Sequence, residues 1–500
     1  STKWPSDVSR EASRLQIRRR CSCVRLGLAW TSKRTCTRVL LLLTCCPPGP
    51  GLRPKEKITS PSGMMGPSPI GRLPGELFIN FRILGPWRCL LASQIQGCGL
   101  QTSAPPSIGT RKFLLMASYR AAIVGCGSIG HAHMDGYQLV DGVDVVAIAD
   151  PVAEAREHYV EQYPDLGLQQ YATVEQMLEQ AKPDIVSVCT WHLLHPAPTI
   201  AAARAGVKAV ICEKPMAIGI GAADCMVDVC AASGTKLVIS HQRRFTPGWE
   251  RARELIAQGV IGTPEFITNK VREGLTNWGT HTIDGSRFVL GDPRAEWVMG
   301  AVERRTDRFE RDTAIEDACM GLVHFEGGVQ LFIQSDLMAE GATAGGFQIR
   351  GSDGQMDVTE TTVRILNGDG WQDAKVDLDE DYKGIGGSTN AAQVKELLAW
   401  LAGGAEHRGA GHKARETVEV MMALYESARR NEVVRLPMEE KGYPLELMIG
   451  EGKLPVTEEG RYDIRAFLSW EGIDRDDYRR LRDEGIGHHQ AMRQLHEEMS

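Results

Sequence analysis

Between Arg120 and Phe245 the chain alternates repeatedly between short apolar runs and stretches of helical pattern, and this alternation narrows the possible folds more than any other feature. The apolar runs are RAAIVGCG (120–127), VDVVAIADP (143–151), PDIVSVCT (183–190), KAVICEKP (208–215) and TKLVISHQRRF (235–245). Between them lie SIGHAHMDGYQLV, VAEAREHYVEQY, HPAPTIAAARAG and IGIGAADCMVDVCAASG. Strands that are apolar on both faces need cover on both faces, and helical crossovers supply it. The expected fold is therefore α/β, beginning with a doubly wound parallel sheet. In such sheets ligands sit beyond the carboxyl ends of the strands. The residues to inspect are Thr190-Trp191-His192, Glu213-Lys214-Pro215 and His241-Gln242-Arg243-Arg244.

GCGSIG places Gly125, Gly127 and Gly130 in G-x-G-x-x-G spacing between the first strand and the first helix. Asp150 ends the next strand, 20 residues beyond Gly130. In that pattern the first glycine makes the tight turn, the second admits a pyrophosphate to the backbone, and the third lets helix and strand close together. Ser128 and Ile129 open the helix, whose free N–H groups and positive end suit phosphate. Residues 116–245 are thus expected to be an NAD(P)-binding Rossmann domain. Asp150 accepting from a ribose 2′-hydroxyl favours NAD, since a 2′-phosphate would face its carboxylate; NADP stays open on one residue. Asp150 also has a plainer reading as a strand-end turn residue before Pro151.

A second unit, 246–436, opens with the helix GWERARELIAQGVIG and the strand TPEFITNKV. Clearer alternation follows in AEWVMGAVERR, ACMGLVHFEGG, VQLFIQSDL, FQIRGSDG and QMDVTETTVRIL. Hairpin signals such as Glu-Gly-Gly and Asn-Gly-Asp-Gly separate several of these, so a largely antiparallel sheet is expected. Two amphipathic helices, AAQVKELLAWL and ARETVEVMMALYESARR, complete this α+β unit. The stretch NWGTHTIDGSRFVLGDP (277–293) reads as a helix with polar first turns, carrying His281 and Asp284, and apolar last turns. His281 could serve as a proton acceptor or merely cap the helix; Asp284 could bind substrate or simply face solvent. Beyond 436 the chain reads as an arm, then one or two exposed, charged helices. His488-His489 there lacks the partners of a metal site, and no metal is expected.

Composition breaks sharply at the start of the first strand. Residues 1–115 carry 18 lysines and arginines against 4 acids, whereas residues 116–500 carry 39 against 60. The leading segment has no sustained periodicity, and its longest aliphatic stretch, VLLLL, is too short to span a membrane. It reads as a basic, Pro- and Cys-rich extension: upstream sequence foreign to the folded protein, a targeting peptide, or a basic arm. The acidic remainder argues against nucleic acid or an anionic membrane as partner. Its cysteines, Cys126, Cys189, Cys212, Cys225, Cys230 and Cys319, are scattered through apolar runs as free thiols would be in the cytoplasm.

GCGSIG, CTWHLLH, ICEKP, SHQRRF and GTHTIDGSRFVLGD, in this order and spacing, resemble the Gfo/Idh/MocA oxidoreductases, the glucose–fructose oxidoreductase and inositol dehydrogenase family. The likeness runs from about Ser118 to about Leu436. It implies a Rossmann domain followed by a domain built on a large, mostly antiparallel sheet, through which members form homodimers or homotetramers. It also implies that Lys214 and His281 take part in hydride-transfer chemistry on a sugar, cyclitol or related polyol. Glu213, Lys214, Thr190, Trp191 and the helix-start His195 fall at cofactor positions; Arg243, Asn277 and Asp284 fall near substrate with Lys214 and His281. Asn277 stands where the family often has aspartate, Trp191 where proline is common, and Gln242 where asparagine is frequent. Asparagine can hold a hydroxyl but cannot take its proton. Oxidising a secondary alcohol needs a base beside the carbinol, with Lys214 and His281 as the candidates. The competing readings are a glycosidase that uses NAD transiently and a non-catalytic dinucleotide sensor.

Overall fold

The apolar runs of the first half become β1 (Tyr119–Val124), β2 (Val143–Ala149), β4 (Ile185–Val188), β5 (Ala209–Cys212) and β6 (Lys236–Ile239). A short strand that the sequence pattern did not mark, β3 (Gln169–Tyr171), lies at the edge. In the computed structural model, which describes residues 118–337, 345–378, 382, 384–464, 471–484, 486 and 488–499, these form one sheet in the order β3-β2-β1-β4-β5-β6. Every pairing in it is parallel. The basic leading segment lies outside the described residues. Alternate side chains go to opposite faces: Ala121 and Ile123 join one buried cluster, Ala122 and Val124 the other. The connecting helices are α1 (Ser128–Gln138), α2 (Ala153–Gln162), α3 (Val174–Ala181), α4 (Pro196–Arg204) and α5 (Ile220–Ser233). The strand order reverses between β1 and β4, which puts the ligand crevice at their carboxyl ends.

One expected strand end differs. TKLVISHQRRF is strand only to Ile239; Gln242–Phe245 is a buried 3-10 turn, started where the Arg244 nitrogen donates to His241 O at 2.9 Å. Pro247 then opens α6 (Pro247–Ala257). The turn lets Arg243 and Arg244 diverge toward different partners, which a strand would also do, but here both reach charges inside the protein.

The second sheet has the order β16-β15-β14-β13-β7-β12-β11-β8-β17. Its members are β7 (Pro264–Val271), β8 (Ala295–Glu303), β11 (Ala318–Phe325), β12 (Gln330–Ser335), β13 (Phe347–Gly351), β14 (Gln355–Val358), β15 (Val363–Asn367), β16 (Gly370–Ala374) and β17 (Val434–Arg435). QMDVTETTVRIL is thus two strands, β14 and β15, joined by a turn rather than one. The sheet is antiparallel except where β7 runs parallel to β12. This is the mostly antiparallel second sheet expected from the sequence. A smaller sheet pairs β9 (Thr306–Glu310) with β10 (Thr313–Ala314) on one side and β18 (Glu458–Asp463) on the other.

Helix α7 (Thr280–Val289) packs against α6 and β7 and is buried along its whole length. The two amphipathic helices part company. α9 (Gly411–Arg430) lies on β8 and α7, with Val418, Met421 and Met422 in the core. α8 (Gly387–Leu401) instead crosses back to the first sheet, where Ala391, Val394 and Leu397 join Met134, Tyr137 and Val140. Its apolar stripe matched the uncovered outer face of α1, and burial there outweighed sequence proximity. The tail is more integrated than an exposed pair of helices. α10 (Pro444–Gly450) packs on α9, β18 extends the small sheet, and α11 (Arg475–Asp483) and α12 (His488–Met499) bury Tyr478, Leu481, Ala491, Met492 and Leu495 together. Arg475 on α11 reaches Glu161 of α2 at 3.3 Å. The side chains of His488 and His489 lie outside those described. No described helix is long and apolar enough to cross a membrane, and no described cluster of His, Cys, Asp and Glu could hold a metal.

Candidate active site

Gly125 follows β1 with φ +99°, and a Cβ on it would lie 2.6 Å from Cys189 O. A Cβ on Gly130 would lie 2.3 Å from Gly125 O, so any side chain there would push α1 off the turn. Gly127 is the reverse case: nothing lies within 4 Å of its Cβ position, and its backbone is open to an incoming group. α1 starts at Ser128 with no side chain capping it, and Ser128 and Ile129 remain accessible. The first-turn N–H groups are thus available to an anion. Asp150 accepts from the backbone nitrogens of Cys126 and Val152, each at 2.9 Å, tying the end of β2 to the glycine turn. Burial raises its carboxyl pKa above the usual range, against the pull of those two donors and Arg156. At the end of β4 the buried Thr190 hydroxyl finds no partner among the described residues, beside the half-buried Trp191. The open glycine backbone, uncapped helix start, strand-end acid and orphaned hydroxyl together fit a dinucleotide.

His195 does not belong to that crevice. It is fully buried, with Nδ1 2.8 Å from Pro215 O and Nε2 3.0 Å from Thr190 O, so it ties the turn after β4 to the turn after β5. The expected cofactor contact is corrected to a structural tie: a ring that spans two main-chain carbonyls has no nitrogen to offer a ligand.

At the reactive end, Lys214 follows β5 and crosses to the second domain, where Nζ donates to Asn277 O at 3.1 Å and Asn277 Oδ1 at 3.2 Å. The Asn277 amide donates in turn to Glu273 Oε2 at 2.9 Å, which fixes its orientation. A π-turn over Leu275–Gly279 precedes α7, a local widening common at functional sites, and sets Asn277 just ahead of His281. The Lys214–Pro215 peptide is cis. Burial and the Arg311 guanidinium pull the Lys214 ammonium down to about 7, against Glu213 and Glu310. His281 is 7 % exposed, and its Nδ1 has no hydrogen-bond partner among the described residues. Burial, then the charges of Lys214 and Arg243, hold its pKa well below the ordinary histidine value. Neutral His281 stands beside an amine that titrates near neutrality.

Glu213 is held from both sides of its carboxylate, with Oε2 accepting from the backbone nitrogen of Lys214 at 3.3 Å. Its Oε1 takes His133 Nε2 at 2.9 Å, and His133 Nδ1 meets the Ser187 hydroxyl at 3.1 Å, all buried. Burial opposes ionisation of Glu213, but His133 and Lys214 outweigh it and hold the carboxyl at about 2. His133 is therefore the anchor of this carboxylate, and no motif in α1 marks it.

Asp284 is also corrected. Its carboxylate is gripped by Arg244 through Nε at 2.6 Å and Nη2 at 2.8 Å, takes the Thr417 hydroxyl at 3.1 Å, and is fully buried. Both oxygens are spent inside the protein, so it braces α7 rather than meeting substrate. The two arginines divide: Arg244 is the structural partner, and Arg243 lies over the Trp278 ring at 4.1 Å and pairs with Glu360 at 3.2 Å. Arg243 faces the same region as Lys214 and His281, whose pKa values it lowers. Sequence reasoning missed Glu310, the last residue of β9, and Arg311 in the turn that follows it; no motif marks them.

Residues 119–241 match the profile of an oxidoreductase family with an NAD-binding Rossmann fold, and residues 249–357 match the Gfo/Idh/MocA C-terminal domain. Among curated relatives, D-apiose dehydrogenase of Paraburkholderia graminis is 24% identical over 355 residues, covering 65% of this chain and 92% of that protein. Myo-inositol 2-dehydrogenase of Thermotoga maritima is 24% identical over 269 residues, 50% of this chain and 79% of the relative. A levoglucosan dehydrogenase solved with NADH and levoglucosan has the same fold, with a TM-score of 0.57 at 20% identity over 64% of this chain and 100% of the other. With one model matched on each half of the described fold, the chain belongs to the Gfo/Idh/MocA family of NAD-binding oxidoreductases.

Proposed function

We propose that the protein is an NAD-dependent dehydrogenase moving a hydride between the nicotinamide and a secondary hydroxyl of a sugar, cyclitol or related polyol. The observation that carries this is the Lys214 amine of the Rossmann half hydrogen-bonded to Asn277 of the second half, one turn before His281. NAD in the glycine cradle supplies the hydride acceptor. The chain manages the proton. With a pKa near 7, Lys214 in its neutral form takes the hydroxyl proton and in its charged form returns one to a carbonyl oxygen. His281, neutral, holds the same oxygen by a hydrogen bond, and Asn277 keeps the amine aimed. The relatives named as sugar and inositol dehydrogenases support this substrate class.

The test is turnover of NAD with a panel of polyols by the wild type, Lys214→Ala and His281→Ala. Lys214→Ala should lower kcat/KM by ~10²–10⁴-fold, the usual worth of a positioned acid–base group. His281→Ala should cost about tenfold, as one lost hydrogen bond does. Equal turnover in all three would remove both residues from the reaction. The reading includes a homodimer or homotetramer assembled through the second sheet, on whose face Met299 and Met320 are exposed, and a cytoplasmic setting that suits the free thiols. Light scattering of the purified protein tests the assembly.

A further inference from the structure

Asp336, the residue after β12, binds the chain that leaves β7. In the parallel pairing of these strands Ser335 lies beside Val271, and Asp336 N donates to Val271 O at 2.9 Å. Its carboxylate takes two further backbone nitrogens: Oδ1 accepts from Glu273 N and Oδ2 from Gly274 N, each at 2.9 Å. Arg308 of β9 and the Ser335 hydroxyl donate to the same carboxylate at 3.2 and 2.8 Å. A second acid, the buried Glu316, takes the Leu275 nitrogen at 2.7 Å and the Tyr425 hydroxyl of α9 at 2.6 Å. Three successive N–H groups are thus bound by two carboxylates from elsewhere in the second domain. The turn needs that grip. Glu273 and Gly274 take left-handed backbone, with φ of +58° and +82°, and a glutamate stays there only where surrounding contacts hold it.

The Glu273 side chain carries this fixed position into the site. Its Oε2 accepts from Asn277 Nδ2 at 2.9 Å, while Asn277 Oδ1 accepts from Lys214 Nζ at 3.2 Å. A side-chain amide donates at one end and accepts at the other, whereas a carboxylate oxygen only accepts. Glu273 therefore takes the NH2 end and leaves the oxygen for the amine. Reversed, the amide would set its own N–H groups against those of Lys214. We propose that Glu273 is a positioning residue for the reaction, seated by Asp336: it fixes which end of the Asn277 amide meets Lys214, and so where the amine points. This rests on the dehydrogenase reading of Lys214. The same geometry makes the effect of Glu273 depend on position 277. Aspartate there accepts at both ends and needs no orienting, and it would set a carboxylate oxygen where the Asn277 nitrogen now lies, 2.9 Å from Glu273 Oε2. Glu273 thus aids an amide at 277 and opposes a carboxylate, since like charges that close repel.

The experiment reads full-length protein in two ways. One is kcat and KM for a polyol with NAD. The other needs no substrate: trace acetic anhydride acetylates Lys214 at neutral pH, and the rate is followed on its peptide by mass spectrometry. Glu273→Ala should lower kcat about tenfold, the worth of one hydrogen bond to a charged group, and change KM by less than about twofold. It should also speed acetylation, because the amine loses an acceptor. In the Asn277→Asp background the same substitution should do the opposite, raising kcat and slowing acetylation. Glu273→Gln, which keeps an accepting oxygen, should retain most of the wild-type kcat and acetylation rate, and it decides the matter should Asn277→Asp fail to fold. Asp336→Asn should change both readouts in the direction of Glu273→Ala, and add little once Glu273 is alanine. Effects of one sign in both backgrounds, a glutamine no better than alanine, or Asp336 and Glu273 losses that multiply would overturn the proposal. Acetylation that reverses in a protein oxidising no polyol would sink the dehydrogenase reading alone; polyol turnover without the reversal would sink this inference alone.

Discussion

At the scale of residues, burial exchanges the roles that free side chains would take. An unperturbed histidine titrates near neutrality and a lysine far above it. Here His281 is driven well below its ordinary value while Lys214 falls to about 7, so the lysine is the group whose charge changes over the working range. The sign follows directly. Alcohol oxidation needs the neutral amine, so kcat/KM in that direction should rise with pH through about 7 and level off above it. His281→Asn should lower the plateau and leave the inflection in place. Lys214→Arg, permanently charged, should lose the inflection altogether. A pH–rate profile of the three proteins checks this, and an inflection that disappears with His281 instead would reassign the base.

At the scale of elements, two contacts decide whether the site can form. α1 can approach β1 only because position 130 has no side chain; Gly130→Ala would put a carbon 2.3 Å from Gly125 O. The helix start should shift, and NAD affinity measured by calorimetric titration should fall at least tenfold, with a lower melting temperature. α8 belongs in sequence to the second half but packs against α1, with Leu397 fully buried. Leu397→Ala should cost about 2–5 kcal/mol, the range for truncating a buried leucine. Urea unfolding would show the loss, and added NAD should recover part of it by binding the folded state alone.

At the scale of the molecule, one buried cluster runs from Ala122 and Val124 of β1 through Met226 of α5 and Met421 of α9 to Val323 and Phe325 of β11. The halves that carry Lys214 and His281 share a core, which keeps the amine and the imidazole in fixed relation. Hydrogen exchange should find this core opening as one unit, with α11 and α12, held by their own small cluster, exchanging sooner than α9. Much of the architecture was legible in the sequence. Fully apolar strands between helices called for a parallel sheet, G-x-G-x-x-G with Asp150 marked the nucleotide crevice, and Lys214 and His281 stood at strand-end and helix-start positions. All of these are short-range patterns, recorded in spacing along the chain. Whether Asp284 would meet substrate or Arg244, whether His195 and His133 would face a ligand or a neighbour, and whether α8 would stay with its own half were not recorded there. Nor was the meeting of Arg311 with His192, on a turn held by Asp463. Ion pairing, desolvation and packing act through space, and they depend on which distant segments the closed core brings within a few ångströms; only the tertiary structure decides that.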